Sequence, residues 1–340
     1  MMKRSSSIIA LSALGLGSLL LLRGRRQQPL LDIRNRVVLI TGGSRGLGLV
    51  LARHLGYRGA RLALVARDDY ELRRAEDEMH TMGAVAKAFV CDIRDQQQVQ
   101  DTVQRVVDHY GAIDILINNA GVIQVGPVEH MHIEDFENAI ATHTYGPLYT
   151  ILATIPHMRN RNGGHIVNIA SVGGKVAVPH LLPYITSKFA FVGLSDGMRA
   201  ELAQDDIKVT TVCPGLMRTG SHVNALFKGQ HDKEFAWFSI SDALPWSSMG
   251  AEEAAARIID AFRQSKPHLT LTWQARFISA ANELFPNATA RLLTLANRAL
   301  PDATDQDGNM SKVGWESWSK VAPSILTKPA DHATVVNNQL

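Results

Sequence analysis

The sequence predicts an α/β fold: a doubly wound parallel sheet of about seven strands, with helices on both faces. Two observations lead to this fold class. Short apolar runs alternate with longer segments of helical periodicity along most of the 340 residues. Glycine-rich and polar motifs follow several of these runs directly, and parallel sheets bind their ligands where the strands end. A content of 46% hydrophobic and 20% charged residues fits a globular domain.

Each predicted strand is a short apolar run followed by a candidate helix. This order requires parallel strands that are joined by right-handed crossovers. The strand candidates are 36–40, 61–65, 86–91, 113–117, 165–170, 208–212 and 268–272. The helix candidates are 47–57, 69–82, 95–110, 133–160, 183–204 and 251–265. The loops that follow the strands are therefore expected at one edge of the sheet.

A glycine-rich turn follows the first predicted strand. Residues 41–48 read Thr-Gly-Gly-Ser-Arg-Gly-Leu-Gly and lead into a helical pattern over 49–55. Glycines let the backbone approach a ligand closely, and the free N–H groups at the start of a helix attract an anion. Gly42, Gly46 and Gly48 therefore predict a phosphate cradle, although their spacing differs from Gly-x-Gly-x-x-Gly. A tight loop without a ligand is the alternative.

A tyrosine and a lysine form the second motif. Pro183 is typical of a first helical turn, so Tyr184 and Lys188 are expected one turn apart on one helix face. An ammonium group beside a phenol would lower the pKa of Tyr184 toward neutrality and make it an acid or base. Ser171 follows the predicted strand 165–170, where its hydroxyl can face the same point. Taken alone, this spacing is more often only a solvated helix face.

Together, the two motifs resemble the short-chain dehydrogenase/reductase family in its compact single-domain form. Thr-Gly-x-x-x-Gly-x-Gly, followed by a serine and by Tyr-x-x-x-Lys, is the signature of that family. The resemblance covers residues 32–272 and implies a Rossmann-type sheet, a bound nicotinamide cofactor and hydride transfer. It also implies a homo-oligomer, in which long helices such as 95–110 and 133–160 pair between subunits.

The resemblance also implies roles for individual residues. Asp92 ends the third strand, where the family's aspartate meets the adenine, and Asn118-Asn-Ala-Gly121 follows the fourth. Pro214-Gly215 and Thr219 lie where the family closes over the nicotinamide. The expected cofactor contacts are Gly42, Ser44, Arg45, Gly46, Leu47, Gly48, Arg67, Asp92, Asn119, Ala120, Gly121, Tyr184, Lys188, Pro214, Gly215 and Thr219. The expected catalytic residues are Ser171, Tyr184, Lys188 and His143.

His143 departs from the family pattern. The family usually carries an asparagine three residues before a glycine on this helix, and here Gly146 fits while His143 replaces the asparagine. The asparagine supports a water that links the lysine to solvent. A histidine can also donate and accept hydrogen bonds and titrates near neutral pH, so His143 is expected to substitute for it. Weakened or lost activity is the alternative.

The charges near the second strand predict a preference for NADP(H). An NAD site usually places an acid at the end of this strand, whereas the sequence has Ala66 followed by Arg67. Arg45 in the glycine turn is expected nearby, and two guanidinium groups can hold a 2′-phosphate. The aspartates that follow Arg67 are competitors that can reach the ribose instead.

The N-terminal residues 1–26 contain an apolar run, 8–22, with basic residues on both sides. The run is shorter than the roughly 20 residues of a comfortable membrane span. A membrane anchor with snorkelling arginines is the favoured interpretation, and the alternatives are a cleaved signal peptide or a segment that is packed or disordered. The catalytic domain is then expected at the membrane on its cytoplasmic side; a cytoplasmic protein is the alternative.

The rest of the chain divides into a core and appendages. The expected segments are a linker at 27–35, a catalytic domain at 36–272 with a substrate lid near 216–248, a helical appendage at 273–300 and a mobile tail at 301–340. Bulky apolar residues in the lid predict a small hydrophobic carbonyl or alcohol substrate, unless they form a core beneath a longer loop. The appendage pattern Leu292, Leu295, Ala296 and Ala299 can rest on lipid.

The composition limits the other function classes. A net charge of +3 is too small to indicate nucleic-acid binding. Cys91 and Cys213 lie in apolar runs and are expected to be buried thiols. His130 and His132 have no evident third ligand, so no metal is expected. The sequence therefore favours an NADP(H)-dependent oxidoreductase, and the alternative is a regulatory or scaffold protein that binds NADP with weakened catalysis.

Overall fold

Twelve β-strands occur among the described residues and form three sheets, and loops that follow strands of the largest sheet supply most of the candidate site. The structure is a computed structural model that describes residues 30–244, 247–319, 322–324 and 327–339. The strands are β1 (Val37–Thr41), β2 (Arg61–Ala66), β3 (Val85–Val90), β4 (Ile115–Asn118), β5 (Gln124–Val125), β6 (Gly164–Ile169), β7 (Ile207–Cys213), β8 (Leu216–Arg218), β9 (Leu226–Phe227), β10 (Ser248–Gly250), β11 (His268–Thr270) and β12 (Lys312–Val313).

The central sheet has seven strands in the order β11-β7-β6-β4-β1-β2-β3, and every pairing in it is parallel. β1 lies in the middle, where Val38 pairs with Leu62 of β2 and with Ile115 of β4. The strand order reverses between β1 and β4. This switch point is where a parallel sheet opens a crevice for a ligand. The predicted fold class is confirmed.

The helices cover both faces of the sheet. They are α1 (Gly46–Tyr57), α2 (Asp69–Thr81), α3 (Gln96–Tyr110), α4 (Ile133–Ile140), α5 (Gly146–Arg159), α6 (Leu182–Leu202), α7 (His231–Ala243), α8 (Ala251–Arg263), α9 (Trp273–Leu284), α10 (Pro286–Asn297) and α11 (Lys328–Val336). Val37 and Leu39 pack in one core cluster with Val103 of α3 and Ile151 of α5. Val38 points to the opposite face and is also buried, as expected for a central parallel strand.

The long helix predicted over 133–160 is interrupted. A π-helix, Ala141–Tyr145, separates α4 from α5 and contains His143. Pro147 lies in the first turn of α5 and has no N–H to donate to the preceding turn. The regular ladder of hydrogen bonds is therefore lost at this point, and π-helical turns often mark functional positions.

The segment predicted as a lid, 216–248, contains β8, β9, α7 and the start of β10. Phe227, Phe235 and Phe238 are buried in a cluster of their own with Val125 of β5. These aromatic side chains therefore form a core beneath the segment. Trp246, which also belongs to the predicted lid, lies outside the described residues.

Residues 301–340 differ from the predicted mobile tail. β12 pairs antiparallel with β9, and α11 leads into residues 337–339, here called the tail strap, which contact the glycine-rich turn. In the tail strap, the Asn337 side chain donates to the Thr219 carbonyl oxygen and the Asn338 side chain donates to the Ser44 carbonyl oxygen. No helix in the described ranges is both long and apolar enough to cross a membrane. The apolar run 8–22 lies outside the described residues.

Candidate active site

A cleft of about 830 Å³ opens at the carboxyl end of the central sheet, at the predicted switch point. It collects residues from the loops that follow β1, β2, β3, β4, β6 and β7. Of the predicted site residues, the cleft is lined by Gly42, Ser44, Arg45, Gly46, Leu47, Arg67, Asp92, Asn119, Ala120, Gly121, His143, Ser171, Tyr184, Lys188, Pro214, Gly215 and Thr219. Gly48 is the predicted residue that does not line it.

The glycine-rich turn joins β1 to α1. Gly46 has φ +55°, a backbone conformation that glycine adopts without strain. A Cβ atom on Gly48 would lie 1.9 Å from the Gly42 carbonyl oxygen, so this position requires glycine for close packing. Asn119 supports the turn from below through hydrogen bonds of its side-chain amide to the carbonyl oxygens of Thr41 and Gly42. The turn is thus a rigid, narrow cradle at the start of a helix.

The tail strap occupies part of this cradle. The Gly46 N–H donates to the Asn337 carbonyl oxygen at 2.8 Å, and the Asn338 side-chain amide donates to the Ser44 carbonyl oxygen at 2.9 Å. Gln339 lines the cleft and accepts hydrogen bonds from the Asn224 side chain. The first backbone N–H of α1, which would attract a phosphate, is therefore already bound to a carbonyl oxygen of the protein.

The predicted pair of arginines is not arranged as a clamp. Arg45 forms an ion pair with Glu71 at 2.7 Å and also donates to Asn224. Glu71 accepts a second hydrogen bond from the Ser44 hydroxyl at 3.1 Å. Arg67 is exposed at the rim of the cleft. The charge of Arg45 is thus largely compensated, and Arg67 is the more available of the two predicted cations.

Asp92 lines the cleft just after the end of β3, and Arg94 binds it there. The guanidinium of Arg94 contacts the Asp92 carboxylate at 2.6 Å. Burial opposes ionisation of Asp92, but the hydrogen bonds from Arg94 outweigh it and the pKa of Asp92 is lowered. Asp92 is therefore ionised, and Arg94 adds a positive group to this end of the cleft.

Ser171 and Tyr184 meet at the opposite end of the cleft. Ser171 directly follows the end of β6, and its Oγ accepts the Gly173 N–H at 3.0 Å. Tyr184 lies in the first turn of α6, which Pro183 helps to start. Both side chains flank Gly173, where an added Cβ atom would lie 3.2 Å from Tyr184 Cε1 and 3.3 Å from Ser171 Oγ. Two side chains that carry hydroxyl groups thus lie next to each other in the cleft.

Lys188 lies one turn after Tyr184 and is buried. Its Nζ donates to the Ile169 carbonyl oxygen at 3.1 Å and lies 5.6 Å from the centre of the Tyr184 ring. Burial without an acidic partner lowers the pKa of Lys188 to about 7. The ammonium form is therefore only partly populated at neutral pH.

Burial also governs Tyr184. It raises the pKa of the Tyr184 phenol, although the neighbouring Ser171 hydroxyl acts in the opposite direction. The prediction that Lys188 lowers the pKa of Tyr184 is wrong for this arrangement, because desolvation disfavours both charged forms. The phenol retains its proton at neutral pH, which suits a proton donor.

His143 is buried between the loop after β4 and helix α6. Its Nε2 accepts the Val122 N–H at 3.1 Å, and its Nδ1 lies 2.7 Å from the Ser187 Oγ. Ser187 Oγ donates in turn to the Tyr184 carbonyl oxygen at 2.7 Å, so the Nδ1–H of His143 is the donor to Ser187. Burial and the positive charge of Lys188 hold the pKa of His143 well below its usual value. His143 is therefore a neutral bridge, and both of its nitrogens are engaged.

Sequence reasoning missed several of these groups. Glu71, Arg94, Ser187 and the tail strap have no motif that marks them. Asn118, the first residue of the motif after β4, joins a buried network: its side chain donates to Asn168 and accepts from Thr150. The remaining arrangement combines an anion cradle with a proton-donating pair of hydroxyls in one cleft.

Comparisons with known proteins agree with this arrangement. A family model described as short chain dehydrogenase matches residues 36–227. An uncharacterized oxidoreductase of Mycobacterium bovis is 30% identical over 299 residues, which cover 86% of this chain and 83% of that protein.

Solved structures with the same fold hold either dinucleotide. A metagenomic short-chain oxidoreductase in complex with NADP has a TM-score of 0.58 and 28% identity, over 71% of this chain and 98% of that one. NAD⁺-bound xylitol dehydrogenase has a TM-score of 0.63 and 27% identity, over 71% of this chain and 99% of that one. The match to the family model covers more than half of the sequence, and the chain therefore belongs to the short-chain dehydrogenase family of oxidoreductases.

Proposed function

We propose that the protein is an NADP(H)-dependent oxidoreductase that interconverts a carbonyl and an alcohol on a hydrophobic substrate, with Tyr184 as the acid and base. The adjacent side chains of Ser171 and Tyr184, in the same cleft as the glycine-rich turn, are the observation that carries this proposal. The crowding around Gly48 and the positive φ of Gly46 fit a dinucleotide cradle. When bound, the nicotinamide supplies or accepts the hydride.

The residues around the reacting oxygen have distinct roles in this proposal. Ser171 donates a hydrogen bond to the substrate oxygen, and Tyr184 gives that oxygen a proton as the carbonyl is reduced. Alcohol oxidation follows the same path in reverse, with Tyr184 taking the proton. Lys188 would hold the ribose next to the nicotinamide. His143 orients the turn of α6 that carries Tyr184.

Arg67 supports the choice of NADP(H). It is exposed at the rim of the cleft, directly after Ala66, where an acid would favour NAD. Arg45 contributes less, because Glu71 already binds its guanidinium. Steady-state kinetics with NADPH and NADH test this choice. A kcat/KM at least tenfold higher for NADPH is expected, about 1.4 kcal/mol of discrimination, with Arg67→Ala removing most of the difference. Equal efficiency with both would contradict it.

The hydrophobic substrate is proposed from the cleft wall. Met217 and Leu226 line the cleft, whereas the aromatic residues of the same segment are buried beneath it. The test is NADPH consumption over a panel of aldehydes and ketones of increasing chain length. We expect kcat/KM to rise with chain length. A preference for short, polar carbonyls would contradict the proposal.

A catalytically weakened NADP-binding protein is the second candidate. The observation that favours it is the engagement of both His143 nitrogens, which leaves neither for a relay water. Thermal-shift measurements with NADPH, run beside the substrate panel, separate the two candidates. Stabilisation by NADPH without turnover of any panel member would support the second candidate.

Two further properties are proposed from the sequence. The first is that the run 8–22 anchors the protein at a membrane, with the catalytic domain on its cytoplasmic side. Cell fractionation of a variant that lacks residues 1–26 tests the anchor, and unchanged membrane association would refute it.

The second is that the subunits form a homo-oligomer, as the family resemblance implies. Sedimentation of the purified protein tests the oligomer, and a monomer at all concentrations would refute it.

A further inference from the structure

Helices α9 and α10 expose an unusual amount of apolar surface. Six large side chains in this helical pair expose between 56% and 73% of their area to solvent. They are Trp273, Phe277, Leu284, Phe285, Leu292 and Leu295. Large contiguous apolar surfaces on soluble proteins commonly mark a binding site.

In an ordinary amphipathic helix the large apolar residues face the domain, whereas in these two helices they face the solvent. Phe277 and Leu284 follow Trp273 at spacings of four and eleven residues, which places them on one face of α9. The residues buried against the domain are small: Ala275 and Ser279 of α9 and Thr289 of α10. The helical pair therefore rests on the domain through small residues and directs its large apolar residues outward.

The charges beside this surface are basic. Arg276, Arg291 and Arg298 are exposed, and Glu283 is the single acidic residue between positions 273 and 300. Aromatic and leucine side chains next to exposed arginines are typical of helices that lie in the interface of a bilayer with anionic headgroups. This charge pattern favours lipid over a second copy of the same basic surface, because two such surfaces would repel each other.

The helical pair is fixed beside the cleft. A Cβ atom on Gly215, which lines the cleft, would lie 2.6 Å from the Thr272 Oγ1 at the start of α9. The Asn282 side chain donates to the carbonyl oxygen of Lys175, in the loop that follows Ser171. The exposed surface therefore belongs to an element that contacts the end of the cleft where Ser171 and Tyr184 lie. It also lies beyond the segment that matches the family model.

We propose that α9 and α10 form a lipid-docking surface that lies flat on a membrane with anionic headgroups. A single weak membrane signal gives marginal binding, whereas two together give stable association. The apolar run 8–22 is the other signal in this chain. Only one consequence of this proposal rests on the proposed function: a hydrophobic substrate could enter the cleft directly from the membrane next to α9 and α10.

Binding to lipid vesicles tests the proposal without any substrate. The probes are vesicles of phosphatidylcholine alone and of phosphatidylcholine with phosphatidylserine, used with the full chain and with a chain that lacks residues 1–26. Residues 32–340 form one compact unit, so the shorter chain retains the whole domain. Both proteins are expected to bind, the full chain more tightly, and both should prefer the anionic vesicles.

Substitutions in the shorter chain then locate the surface. Replacing Phe277, Leu292 and Leu295 with Gln is expected to weaken vesicle binding about a hundredfold, given the apolar area that these residues would bury. Replacing the three arginines with Gln should remove the preference for phosphatidylserine. The matched control is Tyr57→Gln with Tyr70→Gln, since these exposed residues lie elsewhere on α1 and α2.

Two outcomes would overturn the proposal. One is vesicle binding by the apolar variant that equals the binding of its parent. The other is unchanged vesicle binding together with loss of self-association in sedimentation, because the surface would then be covered by a second copy. Circular dichroism and thermal unfolding establish that each variant is folded. Failure to find turnover would leave these results unaffected, so the two proposals fail separately.

Discussion

The Tyr184 phenol and the Lys188 ammonium share one buried corner of the cleft, and burial disfavours the charged form of each. This arrangement keeps the proton on Tyr184 and leaves Lys188 near its titration midpoint at neutral pH. A protonated phenol is the form required to protonate the oxygen of a carbonyl as it is reduced. Under the proposed function, this protonated form of Tyr184 suits the reduction step.

His143 acts on Tyr184 through Ser187. Its two nitrogens join the Val122 N–H to the Ser187 hydroxyl, which binds the Tyr184 carbonyl oxygen. His143→Phe leaves the partly buried Val122 N–H and the buried Ser187 hydroxyl oxygen without their partner and is expected to lower the free energy of unfolding by about 2–4 kcal/mol. We also expect a lower kcat with little change in the KM for NADPH, because the variant disturbs the turn that carries Tyr184.

Chemical denaturation and steady-state kinetics measure these two effects. His143→Asn is the matched variant, because an amide can supply one donor and one acceptor at this position and should recover part of both losses. Wild-type stability and kcat in His143→Phe would show that the bridge has no influence on Tyr184.

Single residues were predictable where a motif fixes them. Ser171, Tyr184 and Lys188 meet at the cleft because a strand end and a helix start bring them together, and the sequence shows both elements. The pairing of Arg45 with Glu71 was not predictable, because it depends on how α2 lies against the glycine-rich turn. The direction of the pKa shift at Tyr184 was also missed, since burial cannot be read from residue spacing.

At the scale of elements, the tail strap is the main departure from the sequence prediction. Asparagine and glutamine residues are common in mobile tails, and nothing in their pattern identifies a binding partner. In the structure they satisfy backbone groups of the glycine-rich turn. The π-helix at Ala141–Tyr145 is a second departure, although Pro147 is a sequence signal that the regular helix is interrupted there.

Deleting residues 337–340 tests how the strap affects the cofactor site. The deletion frees the Gly46 N–H and the Ser44 carbonyl oxygen, which the strap occupies. When a segment of the protein competes with a ligand for its site, the apparent affinity for the ligand is reduced by the fraction of molecules in which the site is open. We therefore expect the deletion to lower the dissociation constant for NADPH by about tenfold.

Calorimetric titration with NADPH measures this change, and Lys328→Ala, an exposed substitution at the start of α11, is the control. Weaker NADPH binding after the deletion would show the opposite role, in which the strap helps to hold the cofactor.

At the scale of the whole molecule, the parallel central sheet was predictable because apolar runs alternate with helical segments and parallel strands require crossovers. All seven predicted strands occur in the central sheet, with ends that differ by a few residues. The smaller sheets were not predicted. β5, β8, β9 and β12 have two or three residues each, which is too short for a periodic pattern to be visible.

The pH dependence of stability is also a property of the whole molecule. His165 on β6 is largely buried, its Nδ1 has no hydrogen-bond partner within the described part of the chain, and burial lowers its pKa to about 4. The unfolded state has an ordinary histidine pKa near 6.5 and binds more protons below it. Stability should therefore fall as the pH decreases from about 6.5 toward 4.

His165→Phe removes this contribution and should flatten that part of the stability curve. The measurement is urea unfolding at several pH values, compared with exposed His109→Phe as the control. Burial raises the pKa of Asp242 to about 7, and this shift changes the stability in the opposite direction over the same pH range. The quantity to compare is therefore the difference in the free energy of unfolding between the parent and the variant at each pH. An identical slope in the parent and in His165→Phe would contradict the assignment.

Turnover by Tyr184→Phe tests the central claim most directly, because the substitution removes one oxygen atom and keeps the ring. The measurements are single-turnover reduction of a substrate identified on the panel and the dissociation constant for NADPH. We expect the rate of reduction to fall by at least a thousandfold, within the range that general acid catalysis contributes, while NADPH binding changes little. A rate within tenfold of the wild type would contradict the role of Tyr184 as the proton donor.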